Sequence, residues 1–260
     1  IVNQEVTREM VEELGYEAVV VENGKEALQH ALSGLYSAIL MDCHMPEMTG
    51  FEATQAIREE VSSFNAIPII AADGGANFLA DHNIFPELII GDLDSLSEQK
   101  IQNMETQKFI KISDQHTTDL EKVLLNTESP LTIGIGFLGS RIDHELAALS
   151  ALVKFSHKKI ILIGEKDIVF LVPPSFSLSS FDGMRVSLYP LGSVKVQSDG
   201  LKWSTEGLTM KPTDKIGTSN QAVGKIIKLV PDEPKLLLIL PKSLLNEAVL
   251  QLQHSPSWRT

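Results

Sequence analysis

Residues 67–77 read Ile67-Pro68-Ile69-Ile70-Ala71-Ala72-Asp73-Gly74-Gly75-Ala76-Asn77, an apolar run that becomes an acidic, glycine-rich loop. A run of this kind bounded by turn residues suits a buried parallel strand whose carboxyl end opens onto a site. The sequence on either side decides what sheet that strand joins and what the site does.

Upstream, Val2, Val6, Met10 and Leu14 fall at helical spacing and the pattern stops at Gly15, a natural C-terminal stop. Residues 17–22 read as a short strand, 24–32 as a second helix, 37–42 as an apolar strand ending in Asp42, and 51–60 as a third helix. Downstream, 83–91 and 109–112 read as strands, 119–125 as a helix, 131–137 as a strand, 143–155 as a helix and 159–164 as a strand. Strands alternating with helices predict an α/β fold with a parallel, doubly wound, Rossmann-like sheet. After about residue 165 the runs VFLVPP, FSLSSF, RVSLYPL, VKVQSDGLKW, GKIIKLV and KLLLILP are short, β-rich and separated by Gly, Pro and Asp. They predict a smaller antiparallel β-sandwich or barrel, of which the sandwich is taken. The expected organisation is an α/β segment over 1–70, an α/β domain over 71–165, a β-sandwich over 166–250 and a loose tail over 251–260.

Composition narrows the partners. A hydrophobic content of 43% against 22% charged residues describes an ordinary globular chain. The net charge of −12 makes a nucleic-acid backbone or an anionic membrane an unfavourable partner. A nucleotide remains acceptable where metal ions and a few basic residues offset its phosphates. The single cysteine, Cys43, leaves neither an internal disulfide nor a cysteine zinc cluster. No apolar run approaches the ~20 residues of a membrane span. The opening IVNQEV has no basic segment followed by an apolar one, so a cytoplasmic location is expected.

Four polar clusters lie at or after strand ends, where doubly wound proteins place ligands. They are Asp73 to Asn77, Gly91-Asp92-Leu93-Asp94-Ser95, Asp114 to Asp119, and Gly139-Ser140-Arg141-Ile142-Asp143-His144. Each alone reads as a turn, since Asp, Gly, Asn and Ser are turn formers. Together they bring carboxylates to one sheet edge, where they repel one another unless a cation sits among them. Mg²⁺ takes oxygen ligands and is usually held by one or two carboxylates plus substrate phosphates. An extended Asp92-Leu93-Asp94 would put both acids on one side. Asp119 opens a helix, with Thr117 or Thr118 as its cap, and the helix N-terminus favours an acid there. Arg141, the only arginine between Arg58 and Arg185, suits charge on a transferring phosphoryl group.

IIAADGGANFL, PELIIGDLDSLS, DQHTTDLEK, GFLGSRIDHELAAL, RVSLYPL, GLKW and GTSN, in that order, resemble the thiamine pyrophosphokinase family over about residues 68–240. The resemblance implies transfer of a diphosphate from ATP to thiamine, giving AMP and thiamine diphosphate. It implies that Asp92, Asp94 and Asp119 form the Mg²⁺ centre, with Asp73 lining the same cleft. Gly74 and Gly75 would allow close backbone approach, and Asn77 would join them at the nucleotide. Gln115, Thr118 and Asp143 would face the thiamine–phosphate junction, and Lys122 and Arg141 would contact phosphate. In the β part, Trp203 offers its ring to the cationic thiazolium, with Ser219 and Asn220 as polar contacts. A core aromatic is the bland alternative for Trp203. The family further implies a homodimer whose partner completes each thiamine pocket.

The front of the chain resembles a truncated receiver domain of response regulators over about 1–70. The strongest piece is ILMDCHMPEMTG, in which Asp42 matches a phospho-acceptor. The acidic pair and the lysine that accompany such an acceptor are absent, so Asp42 is expected not to take phosphate at a useful rate. Residues 37–72 are expected to replace a strand–loop–helix unit of the kinase-like sheet, bringing Asp42 and Glu47 beside the nucleotide. The rival reading of the whole is a signalling or thiamine-binding module without turnover, or a catalytically impaired chimera. A mere binder has no need of so many acids, which favours the enzyme.

Overall fold

The protein is represented by a computed structural model that describes residues 68–81, 86–94, 108–139 and 141–259, with a few positions between 12 and 29. The chain divides into two compact units, residues 1–69 and 70–260. In the first, the Asn23 side chain accepts a hydrogen bond from the Glu26 backbone N–H (3.0 Å) and donates one to the Glu26 carboxylate (3.2 Å). This reciprocal pairing is that of a helix N-terminus and fits the helix expected from residue 24. Glu12 is helical, as expected of the first helix, but Val19, Val20 and Val21, at the middle of the strand expected over 17–22, belong to no strand, and Val19 and Val20 are exposed, so they have no sheet face to bury. The remaining front elements, Asp42, Cys43 and Glu47, and the continuous sheet across the junction, lie outside the described residues.

The second unit opens with β1 (Ile70–Ala72), α1 (Gly75–Asp81), β2 (Leu88–Gly91) and β3 (Lys108–Lys111). The three strands form a parallel sheet in the order β1-β2-β3, with Ile70 opposite Leu88 and Ile89 opposite Phe109. The IPIIAAD run is thus a strand, but only its last apolar residues pair. Ile89 and Ile90 are completely buried at its centre, which explains why PELIIG is apolar without alternation.

Next come α2 (Asp119–Asn126), β4 (Thr132–Ile135), α3 (Ile142–Lys154) and β5 (Ile160–Ile163). Here the architecture departs from one doubly wound sheet. β4 and β5 pair in parallel with each other, and β5 then pairs antiparallel with β6 (Asp167–Leu171). The cause is the connection. Gly164 donates to the Asp167 carbonyl (2.8 Å), and so short a turn reverses the chain, whereas a parallel neighbour needs a crossover of a dozen residues or more. Residue 165, the expected domain border, therefore falls at a turn inside a six-stranded sheet.

The remaining strands are β7 (Phe176–Ser179), β8 (Arg185–Pro190), β9 (Val194–Asp199), β10 (Thr209–Met210), β11 (Gly217–Gln221), β12 (Ile226–Pro231) and β13 (Leu236–Pro241). The six-stranded sheet runs β11-β8-β13-β6-β5-β4 and a four-stranded antiparallel sheet runs β10-β9-β12-β7. Ile168 and Phe170 of β6, with Leu238 and Leu240 of β13, pack into one core with Phe176, Leu178, Val196, Ile227 and Leu229 of the four-stranded sheet. Their neighbours Val169, Leu171 and Leu237 point the other way, into a core with Leu120 and Leu124 of α2, Ala151 and Leu152 of α3 and Phe155, which caps α3. Both faces of the sheet are buried, so KIILIG and KLLLILP are continuously apolar.

The chain end is more ordered than a loose tail. Helix α4 (Leu245–His254) buries Ala248 and Leu252, and the Trp258 indole N–H donates to the Val172 carbonyl (2.9 Å). The i, i+3, i+7 spacing of Leu245, Ala248 and Leu252 was its sequence signal.

Candidate active site

The carboxyl end of β1 delivers Asp73. Its backbone N–H donates to the Ile90 carbonyl (2.8 Å), and its Oδ1 accepts from the Leu93 N–H (2.9 Å). Asp73 takes a left-handed conformation (φ 39°), as does Leu93 (φ 64°), and only 8% of Asp73 is exposed. Two non-glycine residues at positive φ, on the adjoining loops after β1 and β2 and joined by a hydrogen bond, mark local strain of the kind found at functional sites. The close approach sits at Gly91: a Cβ there would fall 2.6 Å from the Asp73 Cβ and Oδ1. A Cβ at Gly75, by contrast, would meet nothing within 4 Å. The DGG loop therefore borders open space.

Strand β2 ends at Gly91, and Asp92-Leu93-Asp94 bends into a turn at Asp94, so the extended geometry that would align the two acids is not the one adopted. The Leu93–Asp73 hydrogen bond and the left-handed Leu93 bend it, and the Asp94 N–H reaches the Asp92 Oδ1 (3.3 Å). The bend still gathers the acids. Asp73, Asp92 and Asp94 each offer a carboxylate oxygen within 4.8 Å of the others.

Their charges are not equivalent. A hydrogen bond from the Gln115 amide (3.1 Å), then the Asp94 N–H and the nearby Lys122, hold Asp92 below its ordinary pKa. Asp94 is pushed above its ordinary value, first by the Asp92 charge and further by Asp73 and Asp119.

Helix α2 supplies the counter-charge. Thr118 is its N-cap and forms a capping box with Glu121: the Thr118 N–H donates to Glu121 Oε2 (2.9 Å), and the Glu121 N–H donates to Thr118 Oγ1 (3.4 Å). One turn in, Lys122 is 4% exposed, with its Nζ 3.2 Å from Asp119 and 3.6 Å from Asp92. Burial alone would lower its pKa, but Asp119, Asp92 and Asp73 outweigh burial and hold it above its ordinary value. Asp119 therefore meets the three gathered acids through a buried ammonium.

Arg141 and Asp143, at the N-terminus of α3, form a bidentate pair (3.1 and 2.6 Å) and are both exposed. Arg141 holds Asp143 below its ordinary pKa. The structure thus gives each a partner in the other. Asn77 and Gly74 are joined by a backbone hydrogen bond (3.1 Å) at the start of α1.

The β-rich part holds a second cluster. Asn220 of β11 is buried, and its side chain accepts from the Trp203 N–H (3.1 Å) and donates to the Trp203 carbonyl (2.7 Å). Ser219 beside it is left-handed (φ 58°) at a register shift between Gly217 and Asn220, and its N–H donates to Ser187 Oγ (2.9 Å). Trp203 is 55% exposed, not a core aromatic, and Lys202 Nζ lies 4.8 Å from its ring centre. One face of the indole already has a cation.

Reading by motif gave no role to Gly91, whose missing side chain admits Asp73, nor to Glu121 and Lys154, which pair with each other beside the site. The Thr118-x-x-Glu121 spacing was a capping-box signal for Glu121; the other two depend on tertiary contacts.

Comparison with known proteins fits this geometry. Residues 62–163 match the model of the thiamin pyrophosphokinase catalytic domain, and residues 1–78 match the response regulator receiver domain. Thiamine pyrophosphokinase 3 of Oryza sativa subsp. japonica is 30% identical over 185 residues, covering 58% of this chain and 69% of that protein. The chain belongs to the thiamine pyrophosphokinase family. Thiamine pyrophosphokinase 1 of Arabidopsis thaliana is 29% identical over 204 residues, covering 65% of this chain and 76% of that protein. The front is 50% identical over 58 residues, 22% of this chain, to hybrid signal transduction histidine kinase B of Dictyostelium discoideum, where it covers 3%. In fold, the chain is similar to thiamin pyrophosphokinase from Candida albicans, with a TM-score of 0.59, 18% identity and coverage of 73% and 84%. It is similar also to thiamine pyrophosphokinase from Bacillus subtilis, with a TM-score of 0.56, 23% identity and coverage of 66% and 86%. The two matched ranges overlap at 62–78, which takes in β1 and the Asp73-Gly74-Gly75 loop. Among the described residues, no helix is long and apolar enough to cross a membrane.

Proposed function

We propose that this thiamine pyrophosphokinase family member transfers diphosphate from ATP to thiamine at the carboxyl edge of β1 and β2. The observation that carries the site is the convergence of Asp73, Asp92 and Asp94 oxygens within 4.8 Å beside a buried lysine. The donor set suits Mg²⁺, being made of hard carboxylate oxygens, and the open space at Gly75 leaves room for a polyphosphate. Asp92 and Asp94, with Asp73, would hold the ion, and Asp119 would add its charge through Lys122. When bound, the ion neutralises charge that gathers as the bond to AMP breaks.

The chain's own groups do the rest by position and charge. The thiamine hydroxyl oxygen bonds to the β-phosphorus, the bond from that phosphorus to the bridging oxygen breaks, and AMP leaves with the electron pair. The hydroxyl proton passes to a nearby carboxylate. Lys122, held charged by its acidic neighbours, and Arg141 contact phosphate. Gln115 and Thr118 border the junction, although both also serve structure: Gln115 holds Asp92, and Thr118 caps α2. Asp143 does so once Arg141 turns to phosphate. The thiazolium stacks on the Trp203 face opposite Lys202, with Ser219 and Asn220 shaping the pocket. A homodimer in the cytoplasm is the working assembly.

Incubation with ATP, thiamine and Mg²⁺, with chromatography of AMP and thiamine diphosphate, tests the reading. Asp94→Asn should lower turnover roughly 100-fold. Its thermal midpoint should hold or rise, since a charge repelled by Asp92 is removed. Equal turnover by both proteins would remove Asp94 from the site, and no product from the wild-type chain would remove the activity.

A further inference from the structure

Glu121 takes no part in the site described above, yet it is a buried carboxylate joined to two elements at once. Its Oε2 accepts from the Thr118 N–H at the start of α2. Its Oε1 accepts from Lys154 Nζ (2.6 Å), at the far end of α3. Below this pair, Leu120 and Leu124 pack with Ala148, Ala151, Leu152 and Phe155. Apolar packing of two helices tolerates small axial rotations, since dispersion contacts are non-directional. A two-ended charged link does not, because its hydrogen bonds have direction.

Rotation of α2 matters because Asp119 and Lys122 flank Glu121 on the same first turn. Lys122 Nζ lies 3.2 Å from Asp119, which turns with the helix, and 3.6 Å from Asp92, which does not, so it is the Asp92 contact that depends on this rotation. Asp92 itself sits after β2 and does not travel with the helix. We propose that Glu121 is a positioning residue for diphosphate transfer: its link to Lys154 sets the rotation of α2 and so holds Lys122 against the acids. The catalytic part of this inference rests on the reading of Lys122 as a phosphate contact.

The test uses the full chain with Glu121→Gln, Lys154→Met and the conservative Lys154→Arg. Glutamine keeps an oxygen for the Thr118 N–H but loses the ionic link. Amine acetylation followed by mass spectrometry reads Lys122 directly, and Lys158, also shielded (11% exposed) and bonded to the Thr127 carbonyl just past the far end of α2, reports whether the whole helix has loosened. Glu121→Gln and Lys154→Met should each raise Lys122 labelling at least fivefold with Lys158 unchanged. Each should lower kcat about tenfold with the thiamine KM within twofold, the double variant should be no worse than either single, and Lys154→Arg should behave as wild type. Lys122 remaining protected, Lys158 labelling rising in parallel, or kcat within twofold of wild type would each overturn the proposal. If the wild-type chain forms no thiamine diphosphate, the reading of function fails, and the labelling alone still decides whether Glu121 positions Lys122.

Discussion

At the scale of single residues, the site depends on contacts that leave no room for change. Gly91 is the clearest case. A methyl group there would fall 2.6 Å from Asp73 Cβ and Oδ1 and 2.9 Å from its Cα. Atoms so near the backbone cannot step aside as the end of a flexible side chain would. Gly91→Ala should therefore destabilise the protein by about 1–3 kcal/mol and lower kcat further than its stability loss explains, because Asp73 must move. Denaturant unfolding and steady-state kinetics on the same preparation check both; a variant with native kcat would detach Asp73 from the reaction. Asn220 is the equivalent in the β-rich part. Its side chain satisfies both the N–H and the carbonyl of Trp203 from a buried position. Asn220→Ala strips both partners at about 1–3 kcal/mol for each polar group left unsatisfied. The thiamine KM should rise several-fold with the ATP KM within twofold, measured by varying each substrate at saturation of the other. Equal shifts in both would place Trp203 away from thiamine.

At the scale of elements, α2 carries a pH signature. Burial works to raise the Glu121 pKa, but the Lys154 ammonium and the Thr118 N–H outweigh it and hold the group below the ordinary glutamate value. The sign follows. A carboxyl with a lower pKa in the folded than in the unfolded chain stabilises fully above the unfolded value and stops doing so as pH falls through the folded one. Wild type should therefore be more stable than Glu121→Gln at pH 7, by about 1 kcal/mol as for other helix-cap changes, and the gap should close as pH falls below the ordinary glutamate value of 4.5. Paired urea titrations across that range decide it; a constant gap would mean the carboxylate charge is irrelevant. The same helix shows what could be read in advance. Asp119–Asn126 was legible because its apolar period, its Thr cap and its acidic first turn are local. Its link to Lys154 was not, because the partners lie 33 positions apart. Strand neighbours behaved alike. KIILIG and KLLLILP were visible as strands, but that β13 enters between β6 and β8 is set by packing on both faces, which no period records. The acids were legible as a group at strand ends; that Asp73 joins Asp92 and Asp94, while Asp119 meets a lysine, depends on the turn at Leu93.

At the scale of the whole molecule, net charge separates the two substrates. The chain has 34 acidic against 22 basic residues, a balance of −12. ATP, an anion even with its metal, approaches against this field, and thiamine, a cation, approaches with it. Lys122 and Arg141 are the groups proposed to meet phosphate, but Lys122 lies between carboxylates and Arg141 is paired with Asp143, so neither projects a free charge far into solvent. The field at a distance is therefore that of the whole chain. Salt acts on that distant part most strongly, because the screening length falls from about 30 Å at 10 mM to about 8 Å at 150 mM ionic strength. Between those conditions, at fixed free Mg²⁺, kcat/KM for ATP should rise about twofold and kcat/KM for thiamine should fall by a similar factor. The opposite signs matter, since an effect of salt on folding or on turnover itself would move both the same way. Parallel changes would show that the local groups, and not the overall charge, govern the approach of both substrates.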